Sequence, residues 1–161
     1  MNRGGTATGA IFFFGTLMDA ELRRLVLGGD LASDQIETGA IGGFRRVRVA
    51  GRDYPMLVPH PTGRVVGVLA RKLGGQALRR LVVYEGAEYR LVRMVVADRC
   101  GRSILARVFL ADPRVRWDPR SWRLETWQRR HKRNCLRRIG EAMAGYQSRA
   151  MLRGWRPVRL D

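Results

Sequence analysis

Two segments of this 161-residue chain carry residue types that could act together on a carbonyl substrate. The first is the apolar run of residues 11–14, which leads into Gly-Thr-Leu at residues 15–17 and then into Asp19. A strand, a glycine turn and a helix start, in that order, present backbone N–H groups to a ligand oxyanion. The second segment places Glu85 before Gly86, with aromatic residues on both sides. A loop that binds an oxyanion and an acid that can move a proton together predict an acyl-transfer enzyme.

The composition of the chain adds a strong positive charge. It has 31 Lys and Arg residues against 14 Asp and Glu residues, so the formal net charge is +17. Nearly all of the basic residues are arginine, since Lys72 and Lys132 are the only lysines. This charge favours anionic partners such as nucleic acid, although an arginine-rich proteome would produce the same excess. The hydrophobic content of 45% is typical of a chain with a folded core.

The length of the chain predicts one domain over residues 9–161, preceded by a flexible tail of small and polar residues at 1–8. No apolar run approaches the roughly 20 residues of a membrane helix, and residues 10–14 are too few for the core of a signal peptide. Cys100 and Cys135 show no motif spacing and fit a reducing compartment. We therefore predict a soluble, cytoplasmic protein, monomeric or homodimeric, with no membrane partner.

Several other reactive side chains have simpler interpretations. Neither cysteine is predicted to be a nucleophile, because one lies in a turn and the other on an apolar helix stripe. His60 and His131 have no second ligand at metal spacing, so no metal site is predicted. Asp53 is expected to form a turn or an ion pair. Glu88 is expected to face solvent or to pair with an arginine, and it is the second candidate for the acid.

Local patterns predict five to seven short strands and two short helices before a longer helix. The first helix should begin at the cap Asp19 and end at Gly28. A bend or bulge is expected at Gly42-Gly43 in the second strand. The predicted strands cover residues 10–14, 36–50, 54–59, 65–70, 88–97 and 104–110, and the predicted short helices cover residues 19–27 and 74–83.

The C-terminal part of the chain predicts one long helix over about residues 119–151. Asp118-Pro119 is typical of a helix cap followed by a first-turn proline. An apolar stripe recurs at helical spacing, so its arginines are expected to form a solvated outer face that takes no part in the chemistry. The stripe consists of Trp127, Cys135, Ile139, Met143 and Tyr146. Together the elements predict an α+β fold, with a small curved or closed sheet.

Three motifs in order resemble those of the gamma-glutamylcyclotransferase superfamily, in its avirulence-induced-gene-like branch. An aromatic-Gly-Ser/Thr-Leu loop after the first strand, a Tyr-Pro pair before a short strand, and a Glu-Gly-x-x-Tyr segment agree in order and spacing over residues 11–110. The resemblance implies a small mixed β-barrel with flanking helices and a catalytic Glu85. The substrate-binding residues that it implies are Phe14, Gly15, Thr16, Leu17, Tyr54, Pro55 and Tyr89.

The reaction implied by the resemblance is intramolecular aminolysis of a γ-glutamyl compound, which gives 5-oxoproline and a free amine without a metal or a cofactor. Glu85 would act as acid and base, and the amides of residues 15–17 would bind the oxyanion. The loop aromatic is usually tyrosine in this family, and here it is Phe14. Any work of that hydroxyl is therefore absent or done by another residue.

The sequence leaves the substrate and one rival function open. An amino-acid amide, glutathione, a γ-glutamylamine and an isopeptide remain candidate substrates, and the arginine excess favours a leaving portion that carries a carboxylate. The alternative is a catalytically silent module that binds a ligand or nucleic acid through the basic helix residues 129–133 and 137–138. We expect any nucleic-acid binding to be weak, non-specific and sensitive to salt.

Overall fold

The computed structural model describes residues 9–86 and 89–153, so the predicted tail at residues 1–8 lies outside the described residues. The strands are β1 (Ala10–Phe13), β2 (Ile36–Val49), β3 (Pro55–Ala70), β4 (Tyr89–Ala97), β5 (Ser103–Ala111) and β6 (Trp117–Ser121). The α-helices are α1 (Ala20–Leu27), α2 (Gly75–Glu85), α3 (Leu124–Arg130) and α4 (Lys132–Arg153), and two single 3-10 turns cover Thr16–Met18 and Ser33–Gln35. None of the helices in the described part of the chain is long and apolar enough to cross a membrane.

The sheet closes into a small mixed barrel, which confirms the predicted fold class. Five strands follow the order β3-β1-β5-β4-β2, and pairing between β2 and β3 closes the ring. The β1–β5 pair is parallel, whereas β1–β3, β2–β3, β2–β4 and β4–β5 are antiparallel. The sixth strand, β6, continues the sheet beyond β2. Closure leaves the five barrel strands without a free edge, and β6 remains the one edge strand of the described sheet.

The short strand β1 lies between β3 and β5 in the barrel and leads directly into the candidate loop. All four of its residues are buried, as the continuous apolar run predicts. Its backbone passes very close to β3, where a Cβ at Gly67 would lie 2.2 Å from the carbonyl oxygen of Phe13 and 2.8 Å from the ring of Phe12. Only glycine leaves room for this approach, so β1 is held in one position as it enters the loop.

Helix α1 begins and ends as predicted. The Asp19 carboxylate accepts a hydrogen bond of 3.0 Å from the amide of Leu22, and Gly28 ends the helix with a φ of 84°. A residue from α2 completes the end of α1: the buried Arg80 guanidinium donates to the carbonyl oxygens of Leu25 and Val26 at 3.0 and 2.7 Å. The two helices are therefore joined through the last carbonyls of α1.

The predicted strands at 54–59 and 65–70 form one long strand, so their separation was wrong. Both halves of β3 pair with β2, and the register shifts where Gly42 lies opposite Arg64 and Phe44 opposite Pro59. The expected irregularity at Gly42-Gly43 is confirmed at this point. The shift absorbs the turn signals of residues 60–63 without ending the strand.

The predicted helix start at Asp118-Pro119 was also wrong. Both residues lie in β6, where the Asp118 carboxylate accepts a 2.9 Å hydrogen bond from the amide of Arg120. Because β6 is an edge strand, it tolerates a proline without a backbone N–H. Helix α3 starts only at Leu124, and the chain leaves helical geometry at His131, where φ is −126°, before α4 begins. The expected apolar anchoring is confirmed at Trp127, which is 1% exposed.

Candidate active site

A cavity of about 180 Å³ opens between the end of β1, the end of α2 and the face of α4. All eight residues of the predicted site line it, namely Phe14, Gly15, Thr16, Leu17, Tyr54, Pro55, Glu85 and Tyr89. The further lining residues are Phe12, Phe13, Asp53, Tyr84, Phe109, Trp127, Cys135, Arg138 and Ile139. The barrel thus brings together three segments that are far apart in the chain.

The loop after β1 forms one wall of the cavity. Its 3-10 turn is closed by the amides of Met18 and Asp19, which donate to the carbonyl oxygens of Gly15 and Thr16 at 3.0 Å each. The first amides of a helical turn have no carbonyl acceptor within the turn, so those at residues 15–17 are suited to bind an anion. A Cβ at Gly15 would lie 3.0 Å from Cγ of Pro55, and glycine therefore lets the loop pack against the next wall.

Two tyrosines and the start of β3 form the second wall. The rings of Tyr54 and Tyr89 lie with centroids 6.3 Å apart and planes tilted by 58°. The hydroxyl of Tyr89 donates to the carbonyl oxygen of Pro55 at 3.1 Å. This contact joins the start of β4 to the start of β3 at the second wall.

Glu85 is the last residue of α2, and its half-buried side chain faces the cavity. Among the described residues, none forms a hydrogen bond or an ion pair with its carboxylate. Burial therefore acts without compensation and raises the pKa of Glu85 from its ordinary 4.5 to about 8. A carboxyl with this pKa can both take up and give back a proton near neutral pH. The second candidate acid, Glu88, lies outside the described residues.

A hydroxyl group does lie in the cavity, although Phe14 brings none. The side-chain oxygens of Thr16 and Tyr84 lie 2.8 Å apart, which joins the loop to the end of α2. Burial and the neighbouring Glu85 raise the pKa of Tyr84 well above its ordinary value, and the bond to Thr16 acts in the opposite direction. Tyr84 is not among the site residues predicted from the sequence, although its position directly before the candidate acid was a signal for it.

Helix α4 also reaches the cavity. Cys135, Arg138 and Ile139 face the cavity from positions i, i+3 and i+4 of one helix face. Arg138 is the one lining residue in the described part of the chain whose side chain is largely exposed, so it lies at the mouth. Cys135 is buried, and that burial raises the pKa of its thiol while the Arg138 charge opposes the change. The stripe pattern identified Cys135 and Ile139 but assigned Arg138 to the outer face.

A cluster of polar contacts holds α3 and α4 against the loop. The Asp19 carboxylate, which also caps α1, accepts from the side-chain amide of Gln128 at 2.8 Å and from the ammonium of Lys132 at 2.9 Å. Burial tends to raise the pKa of Asp19, but these bonds and the one from the amide of Leu22 hold it below its ordinary value. Asp19 therefore holds the loop, helix α3 and helix α4 in one arrangement.

The side chain of Asp53, for which the sequence predicts a turn or an ion pair, faces the imidazole of His131. Its carboxylate lies 3.6 Å from Nδ1 of His131, and its carbonyl oxygen accepts a 2.7 Å hydrogen bond from the indole of Trp122. Within the described residues, no three His, Cys, Asp or Glu side chains are grouped closely enough to hold a metal ion. The prediction that the protein uses no metal stays a prediction.

Comparison with known proteins gives one consistent family. The family model described as "Gamma-glutamyl cyclotransferase, AIG2-like" matches residues 11–129. AIG2-like protein A of Arabidopsis thaliana is 26% identical over 138 residues, which cover 83% of this chain and 80% of that protein. AIG2-like protein B of the same plant is 28% identical over 138 residues and covers 83% of this chain and 77% of that protein.

Solved structures share the fold at lower sequence identity. A solution structure of an Arabidopsis thaliana protein has a TM-score of 0.61 and 23% identity, and the match covers 89% of this chain and 95% of that chain. A structure described as "Gamma-glutamyl cyclotransferase" has a TM-score of 0.54 and 16% identity, with 68% of each chain covered. At these identities the likeness concerns the barrel and its helices.

Proposed function

We propose that this chain, which belongs to the gamma-glutamyl cyclotransferase, AIG2-like family, converts a γ-glutamyl compound to 5-oxoproline and a free amine. The observation that carries the proposal is Glu85, a carboxyl with a pKa raised to about 8 that lines the same cavity as the loop amides of residues 15–17. The fold and the family support the general activity, whereas the residue roles below are our proposal.

The reaction begins with the substrate's α-ammonium, which must lose a proton before it can attack. The Glu85 carboxylate takes this proton, and the freed nitrogen lone pair attacks the γ-carbonyl carbon to close a five-membered ring. The carbonyl π electrons move onto oxygen, and the amides at residues 15–17 stabilise the resulting oxyanion. The carbonyl then re-forms, the bond to the leaving nitrogen breaks, and protonated Glu85 gives its proton to that nitrogen. The ring nitrogen, which is positively charged after the attack, gives its extra proton to the regenerated Glu85 carboxylate, which passes it to solvent. All atoms of the substrate leave as 5-oxoproline and amine.

The raised pKa of Glu85 suits both proton transfers. An α-amino group has a pKa of about 7.7–8.0, which is close to the value of about 8 for Glu85. A proton can therefore pass from the ammonium to the carboxylate with little change in free energy. An ordinary glutamate near 4.5 would be a weak base for this step, because it would hold the proton too loosely. Ring closure itself needs little further help, since intramolecular attack carries a large effective molarity.

Arg138 supports a substrate whose leaving portion bears a carboxylate. The γ-glutamyl group must lie within reach of Glu85, and we place the leaving portion toward the mouth of the cavity. The exposed Arg138 lies there, and none of the described carboxylates forms an ion pair with it. A guanidinium in this position would attract an anionic group on the leaving amine.

A panel of γ-glutamyl compounds tests the activity. The panel contains γ-glutamylalanine, glutathione, γ-glutamylmethylamine and Nε-(γ-glutamyl)lysine, with chromatographic detection of 5-oxoproline. We expect release from at least one compound, faster where the leaving portion carries a carboxylate. A panel without any release above the uncatalysed rate would refute the proposal.

We expect the enzyme to act in the cytoplasm as a monomer or a homodimer, and its cysteines Cys100 and Cys135 are both free thiols.

The alternative is a catalytically silent module that binds a ligand or nucleic acid. The net charge of +17 favours it, as does the absence of a hydroxyl at Phe14. A binder should retain its affinity near physiological salt, whereas non-specific phosphate contacts lose roughly three to five decades between low and moderate salt. Titration of a fluorescent oligonucleotide at several salt concentrations distinguishes these cases. Tight binding at physiological salt, together with a silent panel, would favour the module.

A further inference from the structure

The hydroxyl groups of Thr16 and Tyr84 form a contact across the cavity between two elements that have no local connection. Their oxygens lie 2.8 Å apart although the residues are 68 positions apart in the chain. Thr16 belongs to the loop and is buried, and Tyr84 directly precedes Glu85 at the end of α2. Both side chains line the cavity. The contact therefore lies between the proposed oxyanion loop and the proposed acid.

This pair of hydroxyl groups retains one O–H that is not used in the bond between them, and we call it the free donor. Two hydroxyl groups carry two O–H hydrogens, and one hydrogen bond between them uses one. Either oxygen can be the donor in that bond, so one O–H remains whichever way it is directed. Among the described residues, no other hydrogen bond engages either hydroxyl. A hydroxyl left without a partner in such an enclosed place is costly, and a bound molecule with an acceptor oxygen would remove this cost.

The free donor also persists over the pH range in which Glu85 changes its charge. Burial and the Glu85 charge raise the pKa of Tyr84 well above its ordinary value, so the phenol stays protonated. A threonine hydroxyl does not ionise in this range. The pair is therefore a neutral donor before and after Glu85 takes up a proton.

We propose that the Thr16–Tyr84 hydroxyl pair donates its free O–H to the γ-carbonyl oxygen as that oxygen becomes an oxyanion. This role rests on the proposed cyclisation. The reacting carbon must lie within proton-transfer reach of Glu85, and the side chains of Tyr84 and Thr16 line the same cavity. The donor forms no bond with the substrate carbon and transfers no proton. It adds a side-chain hydrogen bond to those of the loop amides as negative charge develops on oxygen.

Three single variants and one double variant test this role with the panel compound that the wild-type protein converts fastest. Tyr84→Phe and Thr16→Val each remove one hydroxyl with little change of shape, and Thr16→Ser is the matched control that keeps the hydroxyl. We expect each removal to lower kcat by about 100-fold with KM changed less than about twofold, since the donor acts mainly on the transition state. Thr16→Ser should stay within about threefold of the wild type. Each single variant leaves one O–H that has lost the partner which orients it, so the double variant, which removes both hydroxyl groups, should lose at least as much as either single variant.

Different outcomes separate this inference from the proposed function. A raised KM with unchanged kcat would overturn the inference, because the pair would then hold the ground-state substrate. Unchanged kinetics in both Tyr84→Phe and Thr16→Val would overturn it as well, and would leave the cyclisation standing. A wild-type protein that releases no 5-oxoproline would refute the proposed function and the donor role with it. If Tyr84→Phe does not fold, as judged by its thermal unfolding, Thr16→Val and its serine control still decide the matter.

Discussion

Replacement of Glu85 by glutamine should abolish turnover and, at the same time, make stability less dependent on pH. Glutamine keeps the shape and the hydrogen-bonding capacity of the side chain but cannot carry a proton between two nitrogens. We expect kcat/KM to fall by at least about 100-fold, which is the usual scale for loss of a general acid and base. The wild-type profile of kcat/KM against pH should rise with a midpoint near 8, the pKa of Glu85, and the variant should lose this limb.

The change in stability follows from the same pKa. Because the folded protein holds the Glu85 proton more tightly than the unfolded chain, this group's contribution is fully present below pH 4.5 and is lost as the pH rises to about 8. The full shift would correspond to about 5 kcal/mol at 1.36 kcal/mol per pH unit. Because the side chain is only half-buried, water screens part of this effect, and we expect roughly 2–3 kcal/mol.

Urea unfolding at pH 5, 7 and 9 measures this effect directly. Glu85→Gln should have nearly the wild-type free energy of unfolding at pH 5 and exceed it by roughly 2–3 kcal/mol at pH 9. Glu141→Gln removes the same charge from an exposed position on α4 and is the matched control. A constant difference between wild type and Glu85→Gln at all three pH values would refute our reasoning, because the carboxylate would then be solvated. Full activity of the variant would assign the chemistry to another residue.

Three further predictions concern the helices and the mouth of the cavity. Asp19→Asn should lower the free energy of unfolding by about 1–3 kcal/mol at pH 7, measured in urea, because a hydrogen-bonded buried charge is lost. Since the pKa of Asp19 is lowered, this deficit should shrink as the pH falls below 4, and a constant deficit would contradict this account. Replacement of Arg130, Arg133 and Arg137 together by Gln should abolish oligonucleotide binding at low salt and leave the rate of 5-oxoproline release within about threefold of the wild-type rate. Loss of 5-oxoproline release from a folded triple variant would show that the outer face of the helix serves the site. Arg138→Gln should raise KM by about tenfold for γ-glutamylalanine but not for γ-glutamylmethylamine, since a single charge-assisted contact contributes about 1.5–3 kcal/mol before solvent screening. An equal rise of KM for both compounds would mean that Arg138 binds the glutamyl end.

Much of the fold could be predicted because its signals are local. Asp19 and Gly28 mark the ends of α1 through cap chemistry that involves only neighbouring residues. The continuous apolar run predicts a fully buried β1, and the strands predicted at residues 88–97 and 104–110 correspond to the antiparallel pair β4 and β5. The two wrong predictions have the same cause, since Asp118-Pro119 and residues 60–63 carry local turn and cap signals. Pairing with β2 overrides those signals in both places, and a strand partner cannot be read from a short window.

The sequence by itself determined the candidate acid and the loop, because each depends on residue type and on neighbours within a few positions. Glu85 before glycine and the Gly-Thr-Leu turn after a strand are visible in the printed chain. Only the tertiary structure decided what surrounds them. The 2.8 Å contact between Thr16 and Tyr84 and the place of Arg138 at the mouth join positions far apart in the chain. Burial of Glu85, which raises its pKa to about 8, likewise arises from the packing of distant elements around one carboxylate. Proximity and desolvation are properties of the closed barrel and its helices, and no local pattern of residues specifies them.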